Sequence, residues 1–287
     1  PGDAVLTADW FWAPYNSIAQ EQGRTLETYE LLNKEGGFNK EAFDAKVNGL
    51  LAKQDSLVIL LNTPAHNPTG YSLTLSDWDK VIETLSSAGS DKKITLFVDI
   101  AYIDFAGDEE EYRQFLPKLE DLPANVLPVL GYSASKTFTL YGMRCGAMIC
   151  MAKTAEIAAE FKQVCEFSAR ATWSNSTRAA QKVIANIYED EKLLARVNEE
   201  RKQYRDMLVA RGRAFEKSAK EAGLEIVPFD SGFFASIPCP NPDEISRKLE
   251  KEGIFIVPLA KGLRVSVASI SEERCAAIPF KIAEAMK

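Results

Sequence analysis

A lysine flanked by hydroxyls, Ser133-Ala134-Ser135-Lys136, follows the apolar run 126–132, and Arg144 comes eight residues later within Gly142-Met143-Arg144-Cys145-Gly146. A lysine at the end of a buried strand is desolvated. Its pKa falls, and its amine can then form an imine or act as a base. Two serine hydroxyls and an arginine within a few residues can hold a phosphate, the guanidinium forking onto its oxygens. The same residues also fit a strand-to-loop turn with a solvated lysine and a structural arginine, so this run alone decides nothing.

Three further clusters have the same character. Asn62-Thr63-Pro64-Ala65-His66-Asn67-Pro68-Thr69-Gly70 follows the run 57–62 (LVILLN). Two prolines and a glycine shape a rigid loop there, and Asn67 can present its amide from it; an ordinary Asn-Pro turn reads the same way, and His66 alone reads as a structural histidine. Asp99 ends the run 94–99 (ITLFVD) ahead of Ile100-Ala101-Tyr102. A carboxylate at a strand end can pair with a cation in a cleft, or can simply cap a loop. Arg264 lies in Gly262-Leu263-Arg264-Val265-Ser266. If buried it needs a partner, and a substrate carboxylate held by two parallel hydrogen bonds would serve; otherwise it is an edge-strand arginine facing water.

These residues need elements to position them. Strand-like runs at 5–7, 28–31, 57–62, 94–99, 126–132 and 147–151 alternate with helical patterns at 39–53 and 76–88, the second opening at Ser76 as its cap. Continuous apolar runs fit parallel strands covered on both faces, and the βαβα order predicts an α/β fold. From Thr154 to Ala222 the pattern is helical, broken at 173–176. Strands are then expected at 224–228, 233–237, 254–258 and 263–267, and helices at 242–253, capped by Asn241 or Asp243, and 271–286. This tail reads as a second, smaller α+β unit, with a boundary inside the long helix before Gly223.

Composition narrows the function classes. The 287 residues are 46% hydrophobic and 26% charged, with a net charge of −7. An acidic surface repels phosphate backbones, which argues against nucleic acid as a partner; an anion site must be a local cluster of cations and N–H groups. Five cysteines, none in a C-x-x-C pair, read as reduced thiols of a cytoplasmic protein. A single histidine leaves little for a histidine-based metal cage, and no metal site is expected. No apolar run reaches membrane-spanning length.

Order, spacing and strand-end placement agree across the clusters. The stretches HNPTG (66–70), DIAY (99–102), SASK (133–136) with GMRCG (142–146), and RVSVA (264–268) resemble, in order, the signatures of fold-type I pyridoxal-phosphate (PLP) dependent aminotransferases of the aspartate and aromatic class. The resemblance covers nearly the whole chain. It implies a mostly parallel central sheet flanked by helices, with residues 1–205 as a PLP-binding large domain, N-terminally incomplete, and 206–287 as a small C-terminal domain. It implies pyridoxal 5′-phosphate on Lys136 as a Schiff base, with Asp99 against the pyridinium nitrogen and Asn67 and Tyr102 on the ring oxygen. Ser133 and Arg144 are matched to the phosphate, with Ser135 as a further contact. Trp12 is matched to the aromatic stacked on the ring, with Trp10 as its rival. Arg264, assisted by Asn67, is matched to the α-carboxylate clamp. Arg170 is matched to an arginine that crosses a dimer interface to grip a side-chain carboxylate, although a helix-end arginine reads alike.

The activity so implied is transamination between an L-amino acid, aspartate or aromatic, and a 2-oxo acid such as 2-oxoglutarate, in a cytoplasmic homodimer. The chain departs from the family pattern in three ways. A long stretch before Pro1, with a Gly-rich phosphate-cupping turn, is not in it, nor is a tyrosine donated by the neighbouring subunit; Tyr15 stands where close relatives have a histidine. A fragment of a longer enzyme is therefore expected, and an inactive core remains an alternative. A PLP-dependent β-lyase or decarboxylase, which uses the same lysine and aspartate, is another.

Overall fold

The computed structural model describes residues 2–287; Pro1, where the expected large domain begins, lies outside the described residues. The chain forms β1 (Ala4–Ala8), α1 (Pro14–Glu21), β2 (Thr25–Tyr29), α2 (Lys40–Leu51), β3 (Ser56–Asn62), α3 (Leu75–Ser87) and β4 (Lys93–Asp99). Two short helices, α4 (Glu109–Arg113) and α5 (Phe115–Lys118), lead to β5 (Val126–Ser133), the single turn α6 (Ala134–Thr137) and β6 (Gly146–Cys150). Three helices follow: α7 (Ala155–Thr172), α8 (Arg178–Glu189) and α9 (Glu191–Glu221). The chain ends with β7 (Phe234–Pro238), α10 (Pro242–Glu250), β8 (Val257–Leu259), β9 (Gly262–Ser266) and α11 (Glu272–Ala285).

The first six strands make one sheet in the order β2-β1-β3-β4-β5-β6. Every pairing is parallel except β5–β6, which is antiparallel. Because β2 lies on one side of β1 and β3 on the other, the winding reverses between β1 and β3. Such a reversal opens a crevice beyond the C-terminal ends of the strands. The last three strands form a separate antiparallel sheet, β7-β9-β8. The fold is thus the expected α/β architecture with a small antiparallel sheet.

The strand sequences explain the packing. Leu57, Ile59 and Leu61 of β3 and Ile94, Leu96 and Val98 of β4 point to one face and are buried with Trp78, Val81 and Leu85 of α3 and Phe43 and Val47 of α2. The opposite face is less fully covered among the described residues. Val58, Leu60 and Phe97 are only half-buried and line a cleft.

Local chemistry corrects four boundaries. Thr74, not Ser76, caps α3: its hydroxyl accepts from Asp77 N–H at 3.1 Å, and the Asp77 carboxylate accepts from Thr74 N–H at 3.1 Å. Residues 224–228 form no strand; Val227 N–H makes a single bond, to Ser236 O at 2.9 Å. Of 254–258, only Val257 and Pro258 fall within β8. The preceding residues are used to finish α10: Ile254 N–H donates to Leu249 O, and Ile256 O accepts from the Ser246 hydroxyl. Asn241 occupies the cap position of α10 with φ 56° and makes no side-chain cap bond.

The long helix α9 joins the two sheets, and position 205 falls inside it. Arg201 near its start donates to Thr137 O at 3.3 Å. Phe215 near its end sits in the core beneath β7 and β9. Gly212 faces the Phe229 ring, which a Cβ at that position would meet at 2.1 Å. At the far edge of the large sheet β6 lies almost bare, with Gly146–Ile149 exposed and no strand on its outer side among the described residues. No helix of the described residues is long and apolar enough to cross a membrane.

Trp78 is 1% exposed and stacks on Phe115 with ring centroids 4.8 Å apart. Trp78→Ala is expected to lower the unfolding free energy by about 3–5 kcal/mol in a urea titration. A loss below about 1 kcal/mol would contradict this account of the core.

Candidate active site

Parallel strands deliver their C-terminal ends to one edge of the sheet, and four sequence clusters lie there. Asn67 follows β3, Asp99 ends β4 with Tyr102 just after it, Ser133 ends β5 with Ser135 and Lys136 in the following turn α6, and Trp12 follows β1. They border a cleft of about 830 Å³ that also takes in Tyr15, Asn62, Tyr132, Tyr141 and Arg144.

Asn67 is held from three sides. Its backbone N–H donates to the Asn62 side-chain oxygen at 2.7 Å, and Asn62 Nδ2 donates to Asp99 O at 2.8 Å. Asn62 thereby ties the ends of β3 and β4 together. From the small sheet, the Ser236 hydroxyl donates to Pro68 O at 2.8 Å, and Arg264 Nη1 donates to Asn67 Oδ1 at 3.1 Å. The loop turns at Gly70, φ 80°, where a Cβ would lie 2.3 Å from the Phe229 ring. Asn67 Nδ2 points to the Tyr102 hydroxyl at 3.5 Å, a long contact that leaves both groups room for a shared acceptor.

Asp99 accepts at Oδ1 from Ala101 N–H at 3.1 Å and at Oδ2 from the Tyr15 hydroxyl. Burial pushes its carboxyl pKa up; the Tyr15 bond, the Ala101 N–H and the Lys136 charge pull it back. Lys136 sits in α6 with Nζ 4.4 Å from the Tyr141 ring centroid and 5.5 Å from that of Tyr102. Burial lowers its pKa, the Arg144 charge adds to this and Asp99 opposes it. A lysine so placed is more available as free base than one in water. Burial, and then the Asp99 charge, raises the Tyr102 phenol and keeps it a neutral donor.

Beside Lys136, Ser135 is buried and its hydroxyl accepts from Arg144 Nη1 at 3.4 Å. Arg144 takes φ 50° and also donates to Tyr141 O at 2.8 Å. Ser133 occupies the cap position of α6 but caps no N–H, so its hydroxyl is left to the cleft. Arg264 lies over the Phe234 ring, 4.4 Å from its centroid, and its Nε is buried without a partner.

Trp12 borders the cleft and meets Tyr15 edge-on, at 5.5 Å and 88°. Its rival Trp10 is buried elsewhere, under the Lys261 ammonium. Arg264 does not line the cleft itself and reaches it through its bond to Asn67, and Arg170 is not brought to it at all. It stands exposed at the end of α7 and bonds Ser174. Conversely, Asn62 and Tyr141 were not singled out from sequence. The signal for Asn62 was an amide ending an otherwise apolar strand; Tyr141 offered none beyond its nearness to Lys136.

The chain is similar to known proteins along most of its length. A family model described as aminotransferase class I and II matches residues 1–278. The aromatic-amino-acid aminotransferase of Escherichia coli (strain K12) is 27% identical over 279 residues, covering 94% of this chain and 66% of the relative. The chain therefore spans about two thirds of that curated relative's length. A crystal structure of an aminotransferase from Anaerococcus prevotii DSM 20548 superposes with a TM-score of 0.96 at 38% identity, over 100% of this chain and 70% of that one. An aromatic-amino-acid aminotransferase from Burkholderia pseudomallei, described as covalently bound to pyridoxal phosphate, shares the fold with a TM-score of 0.83 at 24% identity, over 100% of this chain and 70% of that one.

His66, the single histidine, is buried behind this loop with Nδ1 2.8 Å from the Thr69 hydroxyl. Burial drives its pKa down to about 4, against the opposing Asp9 charge and Trp10 carbonyl. The unfolded chain therefore binds this proton more readily, and the contribution, on the order of 3 kcal/mol, is present above about pH 6.5 and lost as pH falls toward 4. The one imidazole signal in an NMR titration is expected to move near pH 4; a midpoint near 6.5 would reject this placement.

Proposed function

The chain belongs to the class I and II aminotransferases, and from that premise we propose that it moves an amino group between an L-amino acid and a 2-oxo acid, with pyridoxal 5′-phosphate attached to Lys136. Aspartate or an aromatic amino acid is the proposed donor and 2-oxoglutarate the acceptor. The observation that carries this reading is the convergence of Asn67, Asp99, Tyr102 and Lys136 at adjacent ends of β3, β4 and β5.

The donor set fits the cofactor group by group. Asp99 offers a carboxylate to a protonated ring nitrogen. Tyr102 and Asn67 offer an O–H and an N–H to the ring oxygen. Ser133, Ser135 and Arg144 offer hydroxyls and a cation to the phosphate, and Trp12 a flat apolar wall to the ring. When bound, the cofactor supplies an electron sink next to the substrate Cα.

The residues of the chain do the rest. Arg264 has one nitrogen on Asn67 and a buried Nε without a partner, a fork suited to an α-carboxylate. Holding that carboxylate fixes the substrate Cα relative to the lysine. Lys136 Nζ, its basicity lowered by burial, is the group that would take the Cα proton as a base and give it back as an acid. Division into a large part, 1–205, and a small part, 206–287, belongs to the same proposal and is supported by the two sheets with separate cores. So do assembly as a cytoplasmic homodimer and a role for Arg170 at a second copy's site.

Treatment with pyridoxal 5′-phosphate followed by borohydride is expected to add one reduced cofactor on the peptide bearing Lys136, read by mass spectrometry, and none in Lys136→Ala. Labelling of Lys136→Ala to the wild-type extent would reject the reading. Arg264→Lys, which gives up the fork, is expected to lower kcat/KM by about 10–100-fold for donor and acceptor alike. Amino-acid consumption without a 2-oxo acid acceptor would instead favour a lyase or decarboxylase.

A further inference from the structure

We propose that Tyr15 is a positioning residue acting through Asp99: its phenol fixes the carboxylate's orientation, stabilises its ionised form, and so sets how firmly the cleft holds a cationic ring nitrogen. The inference rests on the cofactor reading above only in its last clause.

Sequence and local structure place Tyr15 with little freedom. Pro14 opens α1, and Tyr15 N–H donates back to Trp12 O at 2.9 Å, so the residue sits in the first turn. The side chain is 6% exposed. Its ring receives the edge of Trp12, and its hydroxyl donates to Asp99 Oδ2. Ala101 N–H takes the other oxygen, Oδ1. Each carboxylate oxygen thus has one donor, on opposite sides, and the plane of the group is set before any ligand arrives.

The choice of a phenol matters. Three titratable side chains bear electrostatically on Asp99: Tyr15 from α1, Tyr102 after β4, and Lys136 from α6. The Lys136 charge changes whenever the amine is engaged or deprotonated. Tyr102 makes its one hydrogen bond with Asn67. Tyr15 is the side chain that donates to the carboxylate, and burial and the neighbouring carboxylate raise its own pKa well above the ordinary value. It therefore stays a neutral donor at neutral pH. Burial alone would favour the neutral acid at Asp99, which could not balance a ring cation; a hydrogen bond to the charged form opposes that. A residue needed only to fill space would lose nothing as phenylalanine.

The test follows Asp99 directly. Side-chain carboxyl carbons of aspartate are labelled with ¹³C in the 287-residue chain without added cofactor, and Asp99→Asn assigns the signal. In Tyr15→Phe the Asp99 midpoint is expected to rise by about 1–2 pH units, because a donor to the ionised form is gone. Tyr15→His, which restores a donor, is expected to bring it back down in part. The affinity for pyridoxal 5′-phosphate, read by absorbance, is expected to weaken about 10-fold in Tyr15→Phe at neutral pH. An unchanged midpoint, or an unchanged affinity, overturns the inference. Should Tyr15→Phe fail to fold, Tyr15→His serves: an Asp99 midpoint that responds to imidazole protonation supports the coupling, and one indifferent to it overturns it. If the wild-type chain takes no cofactor on Lys136, the functional reading fails, while the Asp99 titration still decides the role of Tyr15.

Discussion

A carboxylate at the end of a buried parallel strand is costly, and the cleft is organised around making it tolerable. Asp99 has lost much of its water, and burial favours its neutral form. Against that stand the Tyr15 hydroxyl, the Ala101 N–H and the positive charge of Lys136. The residues that compensate it come from three places in the chain, and each is held by a different element. Were Asp99 not charged, Lys136 would lose the negative charge that opposes its own deprotonation, so the two groups are set jointly.

The second constraint is the link between the two sheets. The Asn67 loop belongs to the large sheet by its Asn62 bond and to the small sheet by its bonds from Ser236 and Arg264. Phe229 packs against Gly70 in that loop and against Gly212 in α9, so helix, loop and small sheet meet at one ring. The position of Arg264 relative to Lys136 thus depends on packing well away from either residue.

Much of this was legible in the sequence because parallel strands advertise themselves. LVILLN and ITLFVD read as strands with at least one face in the core, and a polar residue that ends each of them marks the functional edge. Asn67, Asp99 and Lys136 were picked out on that logic, and they line one cleft. What could not be read were contacts between residues distant in sequence with no shared pattern. Tyr15 was noticed only as a departure at its position, and its partner lies 84 residues on. Residues 224–228 have a strand-like composition, yet no neighbouring strand is placed to continue a ladder with them beyond one bond. The α3 start was misplaced by two residues because Thr74 and Ser76 are both good caps, and the reciprocal Asp77 bond selects the first.

The bare edge of β6 has a consequence for handling the molecule. Among the described residues no strand pairs with its outer row of N–H and C=O groups, and Met148 and Ile149 beside it are 54% and 46% exposed. An exposed apolar edge of this kind can template another strand. The inner side of β6 pairs Gly146 with Ser133, three residues from Lys136. Strand addition at the rim would therefore bear on the geometry of the Ser133–Lys136 end of the cleft.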